Sequence, residues 1–262
     1  MIKIDVSSQT ESFNYNKYFK EYFTDSGPGN PDPFESKFIR MTYDLEKVID
    51  LYGKKFFYDF QNHIVSGTLK EMVFTLGGES ILEISGLNIS NKAGEAGEFH
   101  QLIAALMGGG APGTGSDAAY KVLLGDLGAD AQHYIGGSGA DTYTGTKFGD
   151  RIEGRLGDDK LKGGDGKDTF VFNTELGPDN VDKIGDYNVK QDTIELSRKI
   201  FSDIGKGTLD EDQFSKNKIS GDDAQILYKN GKLFYVDDDG DTTQFATVGD
   251  GLKLSHDDFL VA

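Results

Sequence analysis

Gly136-Gly-Ser-Gly-Ala-Asp-Thr-Tyr-Thr, Gly145-Thr-Lys-Phe-Gly-Asp-Arg-Ile-Glu, Gly154-Arg-Leu-Gly-Asp-Asp-Lys-Leu-Lys and Gly163-Gly-Asp-Gly-Lys-Asp-Thr-Phe-Val follow one another without insertion. The sixth position is Asp141, Asp150, Asp159 and Asp168; the eighth is Tyr143, Ile152, Leu161 and Phe170, always large and apolar. A period this short leaves each repeat one tight turn and one short strand, about half a coil of a parallel β-helix. Glycine lets the turn take φ > 0 and lets its carbonyls approach a ligand. The eighth side chain points inward and stacks on its neighbours. Successive turns face opposite sides, so turns two repeats apart stack. Asp141 is thereby brought to Asp159, and Asp150 to Asp168.

Stacked carboxylates beside turn carbonyls form an all-oxygen shell of the kind Ca²⁺ accepts. The spacing predicts calcium ligands at Asp141, Asp150, Asp159 and Asp168, with Gly136, Gly145, Gly154 and Gly163 opening the turns that hold the ions. Without the ion the carboxylates repel. The segment is expected to be unfolded where calcium is scarce and folded where it is abundant. A flexible Gly/Asp linker is the plain alternative, but the unbroken register and the inward apolar position argue against it.

These repeats resemble those of the RTX family, whose members are exported by type I secretion. The resemblance covers about residues 127 to 262. Leu127-Gly-Ala-Asp-Ala-Gln-His-Tyr-Ile135 reads as a degenerate first turn with Tyr134 at the apolar position. Val181-Asp-Lys-Ile-Gly-Asp-Tyr-Asn and Asp192-Thr-Ile-Glu-Leu look like the closing β-roll region of secreted serralysin-type proteases and lipases. That likeness implies Asp182 and Asp192 as holders of a further ion. Ala224-Gln-Ile-Leu-Tyr and Leu233-Phe-Tyr-Val flank Asn230-Gly231, a strong hairpin signal. Asp237-Asp-Asp-Gly-Asp241 reads as an acidic turn or a weak ion site. Leu252-Lys-Leu-Ser-His-Asp-Asp-Phe-Leu-Val-Ala262 resembles an uncleaved C-terminal type I export signal, although an ordinary last strand would read the same way.

Composition agrees with an extracellular destination. The 262 residues carry a formal charge of −17 and no cysteine. Disulfides are therefore excluded as staples, and bound ions remain to do that work. The negative charge argues against nucleic acid as a partner. No run approaches about 18 apolar residues, so no membrane insertion is expected. Met1-Ile-Lys-Ile-Asp-Val lacks the apolar core of a cleavable signal peptide, which leaves the type I route as the expected one.

The first half differs in composition. Tyr15, Tyr18, Phe19, Tyr22 and Phe23 mark one face of a helix; Phe99, Leu102, Ile103, Leu106 and Met107 mark another. Ser116 is placed to cap a third helix carrying Ala119, Tyr120, Leu123 and Leu124. Strands are expected over 38–43, 55–60, 71–76 and 80–84. Strands mixed with a few helices, without βαβ alternation, predict an α+β domain on an antiparallel sheet over 1–125, followed by an all-β parallel roll over 126–262.

Phe57-Tyr-Asp-Phe-Gln-Asn-His-Ile-Val-Ser-Gly-Thr-Leu-Lys-Glu-Met-Val-Phe-Thr-Leu-Gly, Ile84-Ser-Gly-Leu-Asn-Ile-Ser and Gly97-Glu-Phe-His-Gln-Leu-Ile-Ala-Ala-Leu-Met-Gly-Gly are similar, in this order, to segments of the secreted hemophores of the HasA type. The resemblance implies haem as ligand, Tyr58 as the residue ligating its iron, His63 as the imidazole bonded to that phenolate, and an outer-membrane receptor as partner. A phenolate is a hard anionic donor suited to Fe(III). Two departures stand against it. The interval from Tyr58 to His63 is shorter than in that family, and residues 24 to 37 contain no histidine to serve as the opposite ligand. Tyr58 within Phe56-Phe-Tyr-Asp-Phe60 also reads simply as core.

Secreted RTX proteins are often hydrolases, but this sequence has no H-E-x-x-H and no G-x-S-x-G. Lacking cysteine, it has no thiol nucleophile either. The expectation is therefore a non-enzymatic secreted calcium-binding protein that takes up haem. The alternative is a calcium-folded protein- or surface-binding module that binds no haem.

Overall fold

A computed structural model of the chain describes residues 1–9, 30–31, 37–42, 47–59, 64–92, 97, 99, 101–103, 125, 127–219 and 225–262. The chain divides into two compact units, Met1–Ser8 with Tyr15–Asp130, and Gln9–Asn14 with Ala131–Ala262.

The first unit holds β1 (Ile2–Asp5), β2 (Asn30–Pro31), β3 (Phe38–Thr42), β4 (Lys47–Asp59), β5 (Ile64–Leu76) and β6 (Glu79–Asn91). They lie side by side in the order β1-β6-β5-β4-β3-β2, each antiparallel to its neighbours. One face is apolar: Ile4, Ile39, Met41, Ile49, Leu51, Met72, Phe74 and Ile84 are fully buried.

The expected α+β character is overturned, because strand makes up 49% of the structure and helix only 6%. The described helical residues are Phe99, 101–103, Gly125 and Leu127. Phe99, Leu102 and Ile103 are buried, and the Phe99 ring stacks on Phe56 at 5.0 Å between centroids. The helix faces expected over Tyr15–Phe23 and Ala119–Leu124 lie outside the described residues, as do Leu106 and Met107. The β content exceeds the expectation because β-bulges hide it. Register shifts at Tyr52/Gly53, Lys54/Phe57 and Leu69/Glu71 break the period-two alternation. Short apolar runs are thereby fused into three strands of 13 residues each. Gly53 sits where the ladder pinches, since a Cβ there would lie 2.1 Å from the Thr68 carbonyl oxygen.

The second unit is a roll with two sheet faces. Its strands are β7 (Gln132–Ile135), β8 (Thr142–Thr144), β9 (Arg151–Glu153), β10 (Lys160–Lys162), β11 (Thr169–Phe172), β12 (Asp182–Ile184), β13 (Thr193–Leu196), β14 (Gly207–Thr208), β15 (Phe214–Lys216), β16 (Gln225–Lys229), β17 (Lys232–Val236), β18 (Thr242–Thr247) and β19 (Phe259–Val261). One face runs β7-β9-β11-β13-β19 in parallel, with β14 antiparallel on β19. The other runs β8-β10-β12-β18 in parallel, continued by β17, β16 and β15. The nonapeptide alternates between them, one strand to each face.

Tyr134, Tyr143, Ile152, Leu161, Phe170, Ile184, Ile194 and Phe259 fill the interior, none more than 2% exposed. Tyr134 and Tyr143 stack nearly flat, with centroids 4.1 Å apart. Asn230 (φ 50°) and Gly231 (φ 75°) make the left-handed turn joining β16 to β17. Asp237 accepts the Asp239 and Asp241 N–H groups at 3.1 and 2.8 Å, so the acidic stretch before β18 is a turn. At the end of the chain β19 is a strand beside β13, with Phe259 and Val261 buried.

Ile152 is wholly enclosed between strand neighbours on both faces. Ile152→Ala should cost about 2–5 kcal/mol, read as a lowered urea midpoint for the roll at saturating calcium. Thr144→Ala, at an exposed outward position, should shift it by less than about 0.5 kcal/mol.

Candidate calcium-binding site

The repeat aspartates are buried in two columns. Asp141, Asp150, Asp159 and Asp168 are each 1–2% exposed. In the first column the Asp141 N–H donates to Asp159 Oδ1 at 2.7 Å, and the Asp159 N–H to Asp182 Oδ1 at 3.2 Å. In the second the Asp150 N–H donates to Asp168 Oδ1 at 2.8 Å, and the Asp168 N–H to Asp192 Oδ1 at 3.1 Å. Asp159, Asp168, Asp182 and Asp192 thus each spend one oxygen holding the coil before them. Asp141 and Asp150 receive further N–H donors from their own turns, Gly137 at 2.7 Å and Thr146 at 2.5 Å. Oδ2 of Asp159 and Oδ2 of Asp168 are buried with no hydrogen-bond partner.

The first glycine of each repeat faces this oxygen. A Cβ on Gly154 would lie 2.3 Å from Asp159 Oδ2 and 3.0 Å from Asp182 Oδ2; one on Gly163 would lie 2.1 Å from Asp168 Oδ2. At Gly136 and Gly145 the nearest atoms are the carbonyl oxygens of Gly154 and Gly163, at 2.2 and 2.3 Å. These four glycines are required by space, not by backbone angle. Positive φ falls at other turn positions, on Gly157, Gly164, Gly166 and Arg155. A side chain on a leading glycine would occupy the place where carboxylate and carbonyl oxygens converge.

That convergence suits a hard cation. Main-chain carbonyls and paired carboxylates supply neutral and anionic oxygens together, the donor set Ca²⁺ prefers. Among the described residues no three Asp, Glu or His side chains gather as a metal cage; the shell here would be built of carboxylate pairs and turn backbone.

The electrostatics point the same way. Burial pushes the Asp168 carboxyl up to about 7, with Asp192 and Asp150 adding repulsion and the Asp150 N–H opposing it. Burial likewise raises Asp159, with repulsion from Asp182 added, raises Asp182, with repulsion from Asp158 and Asp141 added, and raises Asp192. A buried carboxylate held this way is costly unless a cation shares it.

Asp182 and Asp192 close the two columns. Sequence reasoning passed over Asp186, whose carboxylate accepts the Gly163 and Gly164 N–H groups at 3.0 and 3.1 Å. Its only signal was its place after Gly185 in the closing region. In the first unit, Tyr58 belongs to β4 and pairs with Val65 of β5. His63 lies outside the described residues.

Comparison with known proteins bears on both units. Residues 135–170 match the RTX calcium-binding nonapeptide repeat, in four copies. Comparison with curated proteins gives no match. Among solved structures, the apo hemophore HasA from Yersinia pestis is 15% identical, with a TM-score of 0.36, over 48% of this chain and 87% of that one. The holo form of the same hemophore is 14% identical, with a TM-score of 0.38, over 48% and 89%. Likeness at that level leaves the fold of this chain to be read from its own strands.

The raised carboxyls set a pH dependence. A group whose folded pKa is raised from near 3.8 to about 7 contributes stability that is fully present below the lower value and lost as pH rises through the upper one. Calcium needs the ionised form, so protons compete with it. The calcium concentration at half-folding, followed by far-UV circular dichroism, should rise on going from about pH 8 to about pH 6. Asp168→Ala should raise it at least about tenfold at neutral pH, more than Asp239→Ala in the exposed turn.

Proposed function

We propose that this chain is an extracellular protein whose roll folds on calcium after type I export, and whose first unit binds haem. The observation supporting the calcium half is the pair of buried, partnerless oxygens on Asp159 and Asp168, each facing a glycine turn that admits no side chain. Export follows from the chemistry: a roll that needs calcium to neutralise its interior stays unfolded where the ion is scarce and folds where it is plentiful. Among the described residues no helix is long and apolar enough to cross a membrane. The role is one of binding, since the sequence offers neither a zincin nor a serine-hydrolase motif and no thiol.

The haem reading rests on the sequence likeness of residues 57–77, 84–90 and 97–109 to secreted hemophores, with Tyr58 as the iron ligand and an outer-membrane receptor as the partner that takes the haem. A second reading, a protein- or surface-binding module without haem, is favoured by one observation: residues 24–37 contain no histidine to serve as a second ligand.

Titration of the calcium-loaded protein with hemin separates the two. Under the haem reading a saturable Soret band forms with a tyrosinate charge-transfer feature, and Tyr58→Phe abolishes that feature and weakens binding at least about tenfold. A linear, non-saturating response would overturn the haem reading and leave the second.

A further inference from the structure

The outward surfaces of the two roll faces differ in charge. On the β7-β9-β11-β13 face, charges are paired: Arg151 binds Glu195 at 2.7 Å and His133 binds Glu153 at 2.6 Å. On the other face one cross-strand row carries only cations and hydroxyls. Lys229 lies opposite Lys232, Lys232 opposite Thr247, Thr247 opposite Lys183, Lys183 opposite Lys160, and Lys160 opposite Thr142. Lys162, opposite Thr144, adds a fifth lysine beside the row. All five lysines are exposed. Among the described residues none of them has a carboxylate partner.

This arrangement has a cost. Like charges directly opposite one another in a sheet destabilise it, and here two such pairs, Lys229/Lys232 and Lys183/Lys160, stand in one line. The chain has 44 acidic residues against 27 Lys and Arg, so acidic partners are not in short supply. At about 4.8 Å per strand the row extends about 24 Å across the sheet.

We propose that this row is a docking surface for an acidic polysaccharide lying across the strands, its carboxylates on the lysines and its hydroxyls on Thr142 and Thr247. Four features select that partner. The surface is flat and cationic, and the row presents no apolar side chain to enter a lipid bilayer, as surface-seeking membrane segments do. Its cations are lysines, point charges on flexible stems that meet carboxylates spaced along a chain without the fixed fork geometry of arginine. Duplex DNA carries a charge about every 1.7 Å, much denser than the lysine row, and meets the repulsion of the whole acidic chain. A polyuronate carries a single carboxylate per sugar along an extended chain, a sparser pattern nearer the strand spacing. Calcium bound in the roll offsets part of the chain's charge, and screening beyond about 8–10 Å leaves the local row dominant at physiological salt. The surface lies within the roll and is independent of the haem reading.

The test uses the full calcium-loaded chain and soluble hexagalacturonate, by isothermal titration calorimetry. Neutral dextran, a short DNA duplex and vesicles containing phosphatidylglycerol serve as comparison ligands. The expected result is saturable binding of hexagalacturonate that weakens with salt and falls at least tenfold in K160Q/K183Q. A double variant off the row, K199Q/K206Q, should bind as the parent does. Circular dichroism at saturating calcium checks that all variants fold, and the single variant K232Q, far from the aspartate columns, should show a smaller loss in the same direction. Four results would overturn the proposal. The first is no binding of hexagalacturonate; the second is equal binding to K160Q/K183Q, which would indicate bridging by calcium. The third is binding of DNA or vesicles alone with the row's dependence, making the partner a different polyanion. A changed calcium midpoint in K160Q/K183Q without polysaccharide binding would assign the lysines to charge balance of the buried aspartates.

Discussion

Each coil of the roll is held by a backbone N–H donated into the carboxylate of an aspartate in the next coil. Asp141 to Asp159, Asp150 to Asp168, Asp159 to Asp182 and Asp168 to Asp192 repeat that bond with lengths of 2.7 to 3.2 Å. The bond fixes the register of the turns as strand pairing fixes that of the strands. It also commits ionisable groups to the interior, where an unshared charge costs several kcal/mol. The second carboxylate oxygen is then available to a cation, and at Asp159 and Asp168 it has no protein partner. A structural bond and a ligand site are therefore made by the same residue. This explains why the sixth position is always Asp: Asn would keep an acceptor for the N–H but lose the charge a cation needs.

The apolar interior complements the aspartate columns. The repeat strands β8 to β11 are only three or four residues long, too short to hold a coil alone; β8, β9 and β10 each contribute one enclosed side chain and β11 contributes Phe170, Val171 and Phe172. Tyr134, in the degenerate turn, extends the stack through its ring contact with Tyr143. The closing region ends both columns with Asp182 and Asp192, and the last strand covers β13 with Phe259 and Val261. Asp258 is buried there, accepting from the Tyr187 hydroxyl at 3.2 Å and from the Ser255 N–H at 2.7 Å. The final segment is thus part of the packed roll.

The first unit follows a different logic. It carries no period that a reader could count, and its strands are long because bulges correct the alternation each time it fails. Gly53 and Lys55 (φ 56°) absorb the irregularity in β4, and the shift after Leu69 returns Met72 and Phe74 to the buried face. On sequence alone these breaks look like strand ends, which is why the sequence predicts short strands over 55–60, 71–76 and 80–84 where three continuous 13-residue antiparallel strands run.

What the sequence determined by itself was the roll: its nonapeptide period, its inward residues, the pairing of aspartates two repeats apart and the Asn230-Gly231 hairpin are all short-range consequences of residue order. Tertiary structure alone decided three further matters. It gave the leading glycines their reason, since only the stacked coil brings the carboxylate of Asp159 against Gly154 and that of Asp168 against Gly163. It brought Asp186 to the Gly163 turn from 23 residues away. It also set Lys160, Lys183 and Lys232 in one row from strands far apart in the chain. Periodicity is legible in a sequence because it is local. Contacts across coils depend on register between distant strands, which no local pattern encodes.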